Sequence, residues 1–339
     1  MVLVTGATGL LGSHLLFELV KKGEKVKALK RHNSNIDLVK KIFSYYSEDY
    51  EELFQRILWV EGDITDVNSI YEALSDVSFV YHTAANVSFI HNDYLLLKKV
   101  NAEGTANVVN ACLEKNIKKL SYTSSVAALG RESSKGAVVS ELTPWDRKSQ
   151  KSAYSQTKYD AEQEVWRGIA EGLSAVMVNP SIIIGPGVWH KGSTKLFETV
   201  WKGQLFYTKG INGFVDVRDV ARAMIALMQS DIEGERFIVS SENLSYEDIL
   251  KEIASSLNVK KPKYNAGRML SALAWRAEYL KSLLTRNAPL ITKETAYTAQ
   301  NKHLYTNEKI INALNYNFIP IKQSIMDTGR LFLKEHGGK

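Results

Sequence analysis

Tyr154 and Lys158 stand four residues apart, as do Tyr94 and Lys98, and Tyr305 and Lys309. On a helix this spacing sets an ammonium beside a phenol on one face. The pair suits proton transfer, because a phenol with a pKa of about 10 ionises reluctantly at neutral pH and a neighbouring cation lowers it. A shift of about three units requires about 4 kcal/mol of preferential stabilisation of the phenolate. Only Tyr154 and Lys158 follow a strand-like segment that ends in hydroxyls, Tyr122-Thr123-Ser124-Ser125. Ser125 is therefore expected to hydrogen-bond and orient a substrate oxygen. Tyr94 is separated from its lysine by three leucines and reads as helix packing, and Tyr305 lies far along the chain.

A second constellation opens the sequence. The apolar run Val2 to Val4 leads into Thr5-Gly6-Ala7-Thr8-Gly9-Leu10-Leu11-Gly12, followed by a helical pattern. Gly6, Gly9 and Gly12 remove side chains where a backbone must turn and approach a pyrophosphate, and the helix N-terminus offers free N–H groups and a positive dipole end. The alternative is a tight strand-to-helix turn with no ligand. At the end of the second strand, where a carboxylate would suit the ribose hydroxyl of NAD, the chain has Leu29-Lys30-Arg31. Arg31 can donate a fork of hydrogen bonds to a 2′-phosphate, which favours NADP over NAD; the plainer reading is a solvated basic loop. A bound, oxidised nicotinamide would add its positive charge to that of Lys158 beside the phenol. In Gly62-Asp63-Ile64-Thr65-Asp66, Asp63 is a candidate for the adenine amino group, and Asp66 reads as a helix cap.

These residues require elements to carry them. Strand-like runs at Val2 to Val4, Val26 to Leu29, Ile57 to Val60, Phe79 to His82, Leu120 to Tyr122 and Ala175 to Val178 alternate with helical patterns. This is the signature of an α/β Rossmann fold, a doubly wound parallel sheet with ligands at the carboxyl ends of its strands. Residues 1–180, with contributions from about 211–240, are expected to form the NAD(P)-binding unit. Residues 181–339 are expected to form a smaller, mostly helical substrate-binding lobe, and Phe237 to Val239 is a brief strand candidate. Asn35 to Gln55 reads as an elaborated helix with a surface loop. Met269 to Leu284 has Leu270, Leu273, Ala274, Ala277 and Leu280 on one helical face, read as packing over the substrate cleft rather than as membrane docking.

The bulk properties narrow the class. The chain has 339 residues, 45% hydrophobic and 24% charged, and a formal charge of +6. Its cations are dispersed and accompany no nucleic-acid motif, so a phosphate-bearing small molecule is expected and a nucleic acid is not. Cys112 is the one cysteine; it excludes an intramolecular disulfide and reads as a small core residue. The seven histidines lack ligand spacing, so no metal is expected. Met1 runs directly into the first strand and no apolar stretch is long enough for a transmembrane segment, which implies a cytoplasmic protein.

Taken in order, Thr5 to Gly12, Gly62-Asp63, His82-Thr83-Ala84-Ala85, Asn101-Ala102-Glu103-Gly104-Thr105, Thr123-Ser124-Ser125, Tyr154 to Lys158, Asn179-Pro180, Gly185-Pro186-Gly187 and Phe214 to Val220 resemble the extended short-chain dehydrogenase/reductases. The resemblance implies that Tyr154 is the acid/base, that Lys158 binds ribose and modulates the phenol, and that Ser125 binds the substrate oxygen, with Ser124 the weaker candidate. It implies backbone contacts from Leu10 and Leu11 to the pyrophosphate, Ala84 and Ala85 lining the cofactor cleft, and further cofactor contacts at Ile64, Asn101 and Pro180. Arg31, His82 to Ala85 and Asn179-Pro180 are most similar to the dihydroflavonol-reductase and 3β-hydroxysteroid-dehydrogenase-like branch, which implies a carbonyl or alcohol substrate. Dehydration is disfavoured because Ser125 precedes Val126 and Ala127 rather than an Asp-Glu pair. A nucleotide-sugar epimerase with tightly held NAD, and a non-catalytic nucleotide-binding regulator, remain the alternatives. Many extended members are homodimers through the tyrosine-bearing helix.

Overall fold

The computed structural model describes residues 1–88, 93–131, 137–146, 152–285 and 292–337. Its centre is a seven-stranded sheet. The strands β1 (Val2–Thr5), β2 (Val26–Lys30), β3 (Ile57–Glu61), β4 (Phe79–His82) and β5 (Lys119–Thr123) are joined by Ala175–Pro180 and Glu235–Val239. The spatial order is β3, β2, β1, β4, β5, Ala175–Pro180, Glu235–Val239, and every neighbouring pair is parallel. The chain steps outward from β1 to β3 and returns to β4, so β1 and β4 border the switch point where such sheets open a crevice.

Alternation along the strands builds two cores. Val2 and Val4 of β1, with Val176 and Val178, face the helices Leu10–Lys21 (α1) and Val217–Gln229. Leu3, Ala175 and Met177 face the opposite side, toward the helices Gly104–Glu114 and Ala153–Ala170. A sheet buried on both faces needs apolar residues at successive positions, and this is why the strands read as continuous apolar runs. Cys112 lies fully buried in the second core, and burial pushes its thiol up to about 12.

Two expectations are revised. Asn35 to Gln55 forms two helices, Asp37–Ser44 and Tyr50–Gln55. Phe43 and Tyr46 each come within 5.3 Å of Phe17 by ring centroid, so the insertion adds an aromatic cluster against α1 rather than a surface loop. Glu235–Val239, within the stretch of about 211–240 expected to contribute to the NAD(P)-binding unit, is the outermost strand of the large sheet, in register with Val176 to Pro180. The helix spanning Arg268–Thr285 turns Met269, Leu270 and Leu273 outward instead of packing them.

Beyond the large sheet, Ile211–Asp216 pairs in parallel with Ile182–Ile184 and antiparallel with Glu242–Ser245. Buried side chains of Tyr246–Ser256 and Ile321–His336 share one core with Phe197, Phe214 and Trp189. The Arg218 guanidinium forks onto Asp216, 2.9 Å to Oδ1 and 2.7 Å to Oδ2, and reaches Asp327 at 3.0 Å. This pins the base of the Val217–Gln229 helix to the C-terminal helix. Among the described residues no helix is long and apolar enough to cross a membrane.

Candidate active site

Where β1 ends, Gly6 adopts φ +66°, a conformation that L side chains rarely take. A Cβ there would lie 2.5 Å from the backbone nitrogen of Ala84, so the glycine also lets the loops after β1 and β4 meet. A Cβ on Gly12 would overlap the carbonyl of Gly6. Gly9 donates its N–H to that carbonyl at 2.9 Å and leads into α1, whose first turn has neither a side-chain cap nor an acidic residue. The N–H groups of Leu10, Leu11 and Gly12 stand where a helix has no internal acceptor for them. A tight backbone cradle at an uncapped helix N-terminus fits a dinucleotide pyrophosphate.

The neighbouring loops are held by short polar links. His82 is buried between Thr5 Oγ1, 2.6 Å from Nδ1, and Thr105 Oγ1, 3.0 Å from Nε2. Burial, aided by the charge of Lys158, lowers its pKa to about 3, so the ring is neutral and serves to join β1 to β4. Ala84 and Ala85 follow directly, Ala84 half-buried and Ala85 exposed. Asn101 lies in a π-helical turn, Lys98–Glu103, with its side chain committed to protein. Its Oδ1 accepts from the Asn86 N–H at 2.7 Å, while Nδ2 donates to the Asn86 carbonyl and to Thr157 Oγ1. These contacts tie the Ala84–Ala85 loop to the tyrosine-bearing helix.

Ser152 caps the Ala153–Ala170 helix by accepting from the Ser155 N–H at 3.2 Å. Burial raises the pKa of Tyr154, and the neighbouring Ser125 hydroxyl opposes the rise. One turn on, Lys158 is almost fully buried and donates to Tyr122 Oη at 2.9 Å and to the Thr123 carbonyl at 2.8 Å. Desolvation brings its pKa down to about 7, with the charge of Glu162 acting the other way. Ser125, Tyr154 and Lys158 are thus brought together at the carboxyl end of β5.

The remaining pairs serve elsewhere. Tyr94 is exposed and Lys98 lies 3.8 Å from Glu103. Tyr305 sits in a short strand beside Val138–Val139, and Lys309 bonds Glu235 and the Arg236 carbonyl.

Two contributors have no obvious mark in the sequence. Glu162 is fully buried, one turn beyond Lys158 on the same helix face. Its Oε2 accepts from Ser124 Oγ at 2.6 Å and Asn179 Nδ2 at 2.9 Å, and Oε1 meets Arg236 at 2.5 Å. Ser124 is therefore spent on Glu162, which leaves Ser125 as the serine of the cleft. Asn179 also donates to the Ser125 carbonyl at 3.0 Å, and Pro180 ends that strand. Tyr122 is the second contributor, an acceptor for Lys158 that favours the ammonium form. A charged side chain on a buried helix face, four residues after Lys158, was the available signal for Glu162.

Tyr122→Phe removes one acceptor from the ammonium and about 1 kcal/mol of net hydrogen-bond stabilisation. The Lys158 pKa then falls, and the alkaline limb of kcat/KM moves to lower pH by up to about one unit. Titration of rate against pH checks this, with circular dichroism as the control for folding; an unmoved limb contradicts it.

The cofactor positions differ in exposure. Arg31 is exposed beyond β2, and its guanidinium has no partner among the described residues, while Lys30 and His32 both turn to Glu61, at 3.8 and 3.0 Å. Asp63 Oδ1 accepts from the N–H and hydroxyl of Thr65, both at 2.9 Å. Ile64 is buried against Gly104, and Asp66 caps the next helix through the Asn68 N–H.

Residues 2–240 match the model of the NAD dependent epimerase/dehydratase family. A Synechocystis sp. protein named as a dihydroflavonol 4-reductase is 29% identical over 98% of this chain and 94% of its own length. Cinnamoyl-CoA reductase 1 of Petunia hybrida is 26% identical over 97% and 90%. Among solved structures, gox2253 superposes with a TM-score of 0.82 at 28% identity, covering 100% of this chain and 99% of that one. The UDP-glucose 4-epimerase of Thermotoga maritima, at 18% identity, TM-score 0.78 and 99% coverage of both, shares the fold. The chain belongs to the NAD dependent epimerase/dehydratase family and is an NAD(P)-dependent enzyme of the extended short-chain dehydrogenase/reductase type.

Proposed function

We propose that the protein is an NADP(H)-dependent reductase or dehydrogenase that interconverts a carbonyl and an alcohol on a small molecule. The observation that carries this reading is the placement of Tyr154 beside the Ser125 hydroxyl, with the buried Lys158 ammonium one helical turn away. The nicotinamide supplies or accepts the hydride when bound. In the reducing direction, Ser125 donates a hydrogen bond to the carbonyl oxygen and Tyr154 delivers the proton there as the alcohol forms. Lys158 stabilises the resulting phenolate, and Tyr122, Thr123 and Glu162 hold the ammonium in place. Leu10, Leu11 and Gly12 cradle the pyrophosphate, Asp63 and Ile64 flank the adenine, and Ala84 and Ala85 line the nicotinamide side. Asn101 acts here as a positioning residue, because its amide is occupied by Asn86 and Thr157. Residues 181–339, apart from the stretch that joins the large sheet, frame the substrate.

The uncommitted Arg31 guanidinium supports NADP over NAD, and with it the reductase reading over an epimerase that keeps NAD bound. Arg31→Glu should weaken NADPH binding roughly a hundredfold, through lost charge-assisted hydrogen bonds and added repulsion worth about 3 kcal/mol. NADH binding should change less than about threefold, since no phosphate faces the new carboxylate. Fluorescence titration with both nucleotides measures this; equal losses would remove the 2′-phosphate assignment.

A further inference from the structure

We propose that the outer face of the Arg268–Thr285 helix, with the basic segment before it, docks on the surface of an anionic lipid bilayer. This inference does not depend on the reaction assigned to the cleft.

The helix presents a largely apolar arc to solvent. At 3.6 residues per turn, Arg276, Met269, Leu273, Ala277 and Leu270 fall within an arc of about 120°. That arc faces solvent: Met269 is 81% and Leu273 60% exposed, and Arg276 and Ala277 are exposed beside them. On the inner side, Ser271 ties the helix to the protein beside the half-buried Ala272, Ala274 and Trp275. Ser271 accepts from Gln300 Nε2 at 2.7 Å and donates to the Ala266 carbonyl. Beside the helix start, the strand Tyr264–Asn265 pairs with Phe206–Tyr207, and the rings of Phe206 and Tyr264, both exposed, lie 5.8 Å apart. Scattered exposed apolar side chains are ordinary, whereas an apolar helix face turned to water next to exposed aromatics marks an interaction surface.

Charge selects the occupant. Residues 259–277 contain Lys260, Lys261, Lys263, Arg268 and Arg276 and no Asp or Glu. All five cations are exposed. Cations around an apolar helix face complement anionic headgroups while Met and Leu side chains enter the acyl boundary, with aromatic rings suited to the headgroup level. A second copy of this chain would oppose the five cations to five more, which disfavours self-association through this face.

The test is co-sedimentation of the full-length protein with phosphatidylglycerol-containing vesicles and with pure phosphatidylcholine vesicles. Binding is expected to the anionic vesicles, at least tenfold stronger than to the neutral ones, and to weaken as salt rises. Leu273→Glu, at an exposed position that folding does not need, should reduce binding about tenfold or more. Each of Lys260→Gln, Lys261→Gln and Lys263→Gln should reduce it roughly fivefold, and thermal unfolding verifies that each variant is folded. Undiminished binding by Leu273→Glu overturns the proposal. So does wild-type protein that ignores both vesicles; if it also self-associates and Leu273→Glu abolishes this, the face belongs to a second copy.

Discussion

Tyr154→Phe should lower kcat by about three orders of magnitude while leaving NADPH affinity within about twofold, since a positioned acid/base contributes roughly 10²- to 10⁴-fold. The substitution keeps the ring and removes only the phenolic hydroxyl, which lies beside Ser125. The helix cap at Ser152 and the Lys158 contacts with Tyr122 and Thr123 do not involve that hydroxyl, so the fold and the pyrophosphate cradle should persist. Stopped-flow or steady-state rates with fluorescence binding controls separate the two effects. Residual turnover near the wild-type rate would remove Tyr154 as the proton donor. A parallel loss of NADPH binding would mean that the phenol holds the cofactor rather than moving a proton.

The second large effect is on stability. Glu162→Gln removes the charge facing Arg236 and Lys158, both largely buried, and should destabilise the protein by about 3 kcal/mol, because breaking a buried pair leaves an uncompensated charge. Urea unfolding measures the change. The double variant Glu162→Leu with Arg236→Leu should recover only part of that loss, since it removes both buried charges together but leaves the Ser124 hydroxyl, an Asn179 N–H and the Glu141 carbonyl without these partners. Its activity should stay low even so: Lys158 then lacks the one carboxylate that raises its pKa, and less of it is charged at neutral pH. A Glu162→Gln protein as stable as the wild type would refute the anchoring role.

How much of this was legible in the sequence follows from the range of each interaction. The parallel strands could be read because a strand covered on both faces has no polar positions to break its apolar run, as in Val2 to Val4 and Ala175 to Val178. The glycine turn was legible because its requirement is local: Gly6 needs a positive φ and Gly12 must lie against the Gly6 carbonyl. Ser125, Tyr154 and Lys158 could be named from spacing and context, and the structure brings them to one end of β5.

Links across long sequence separations could not be read. Tyr122 meets Lys158 across 36 residues and Arg236 meets Glu162 across 74, and neither separation leaves a periodic trace. The strand Glu235–Val239 showed only Phe237 to Val239 as apolar, since Arg236 at its start turns to Glu162 rather than to solvent. Periodicity in Met269 to Leu284 established that an apolar face exists, but period alone does not say whether that face turns inward. The Asn35 to Gln55 insertion read as partly loop because its Tyr, Ser, Glu and Asp content hides the few residues, Phe43 and Tyr46 among them, that pack on Phe17.

The proposed NADP(H)-dependent reductase uses the nucleotide as a substrate that is exchanged at each turnover. A reductase must release its spent nucleotide every cycle, whereas an epimerase regenerates its NAD in place and gains from holding it. Mass spectrometry of the nucleotide released on denaturing the purified protein, combined with exchange against added NADPH, tests this directly. The expected result is little retained nucleotide, or NADP that exchanges freely, with NADPH bound more tightly than NADH. Stoichiometric NAD that survives purification and resists exchange would contradict it.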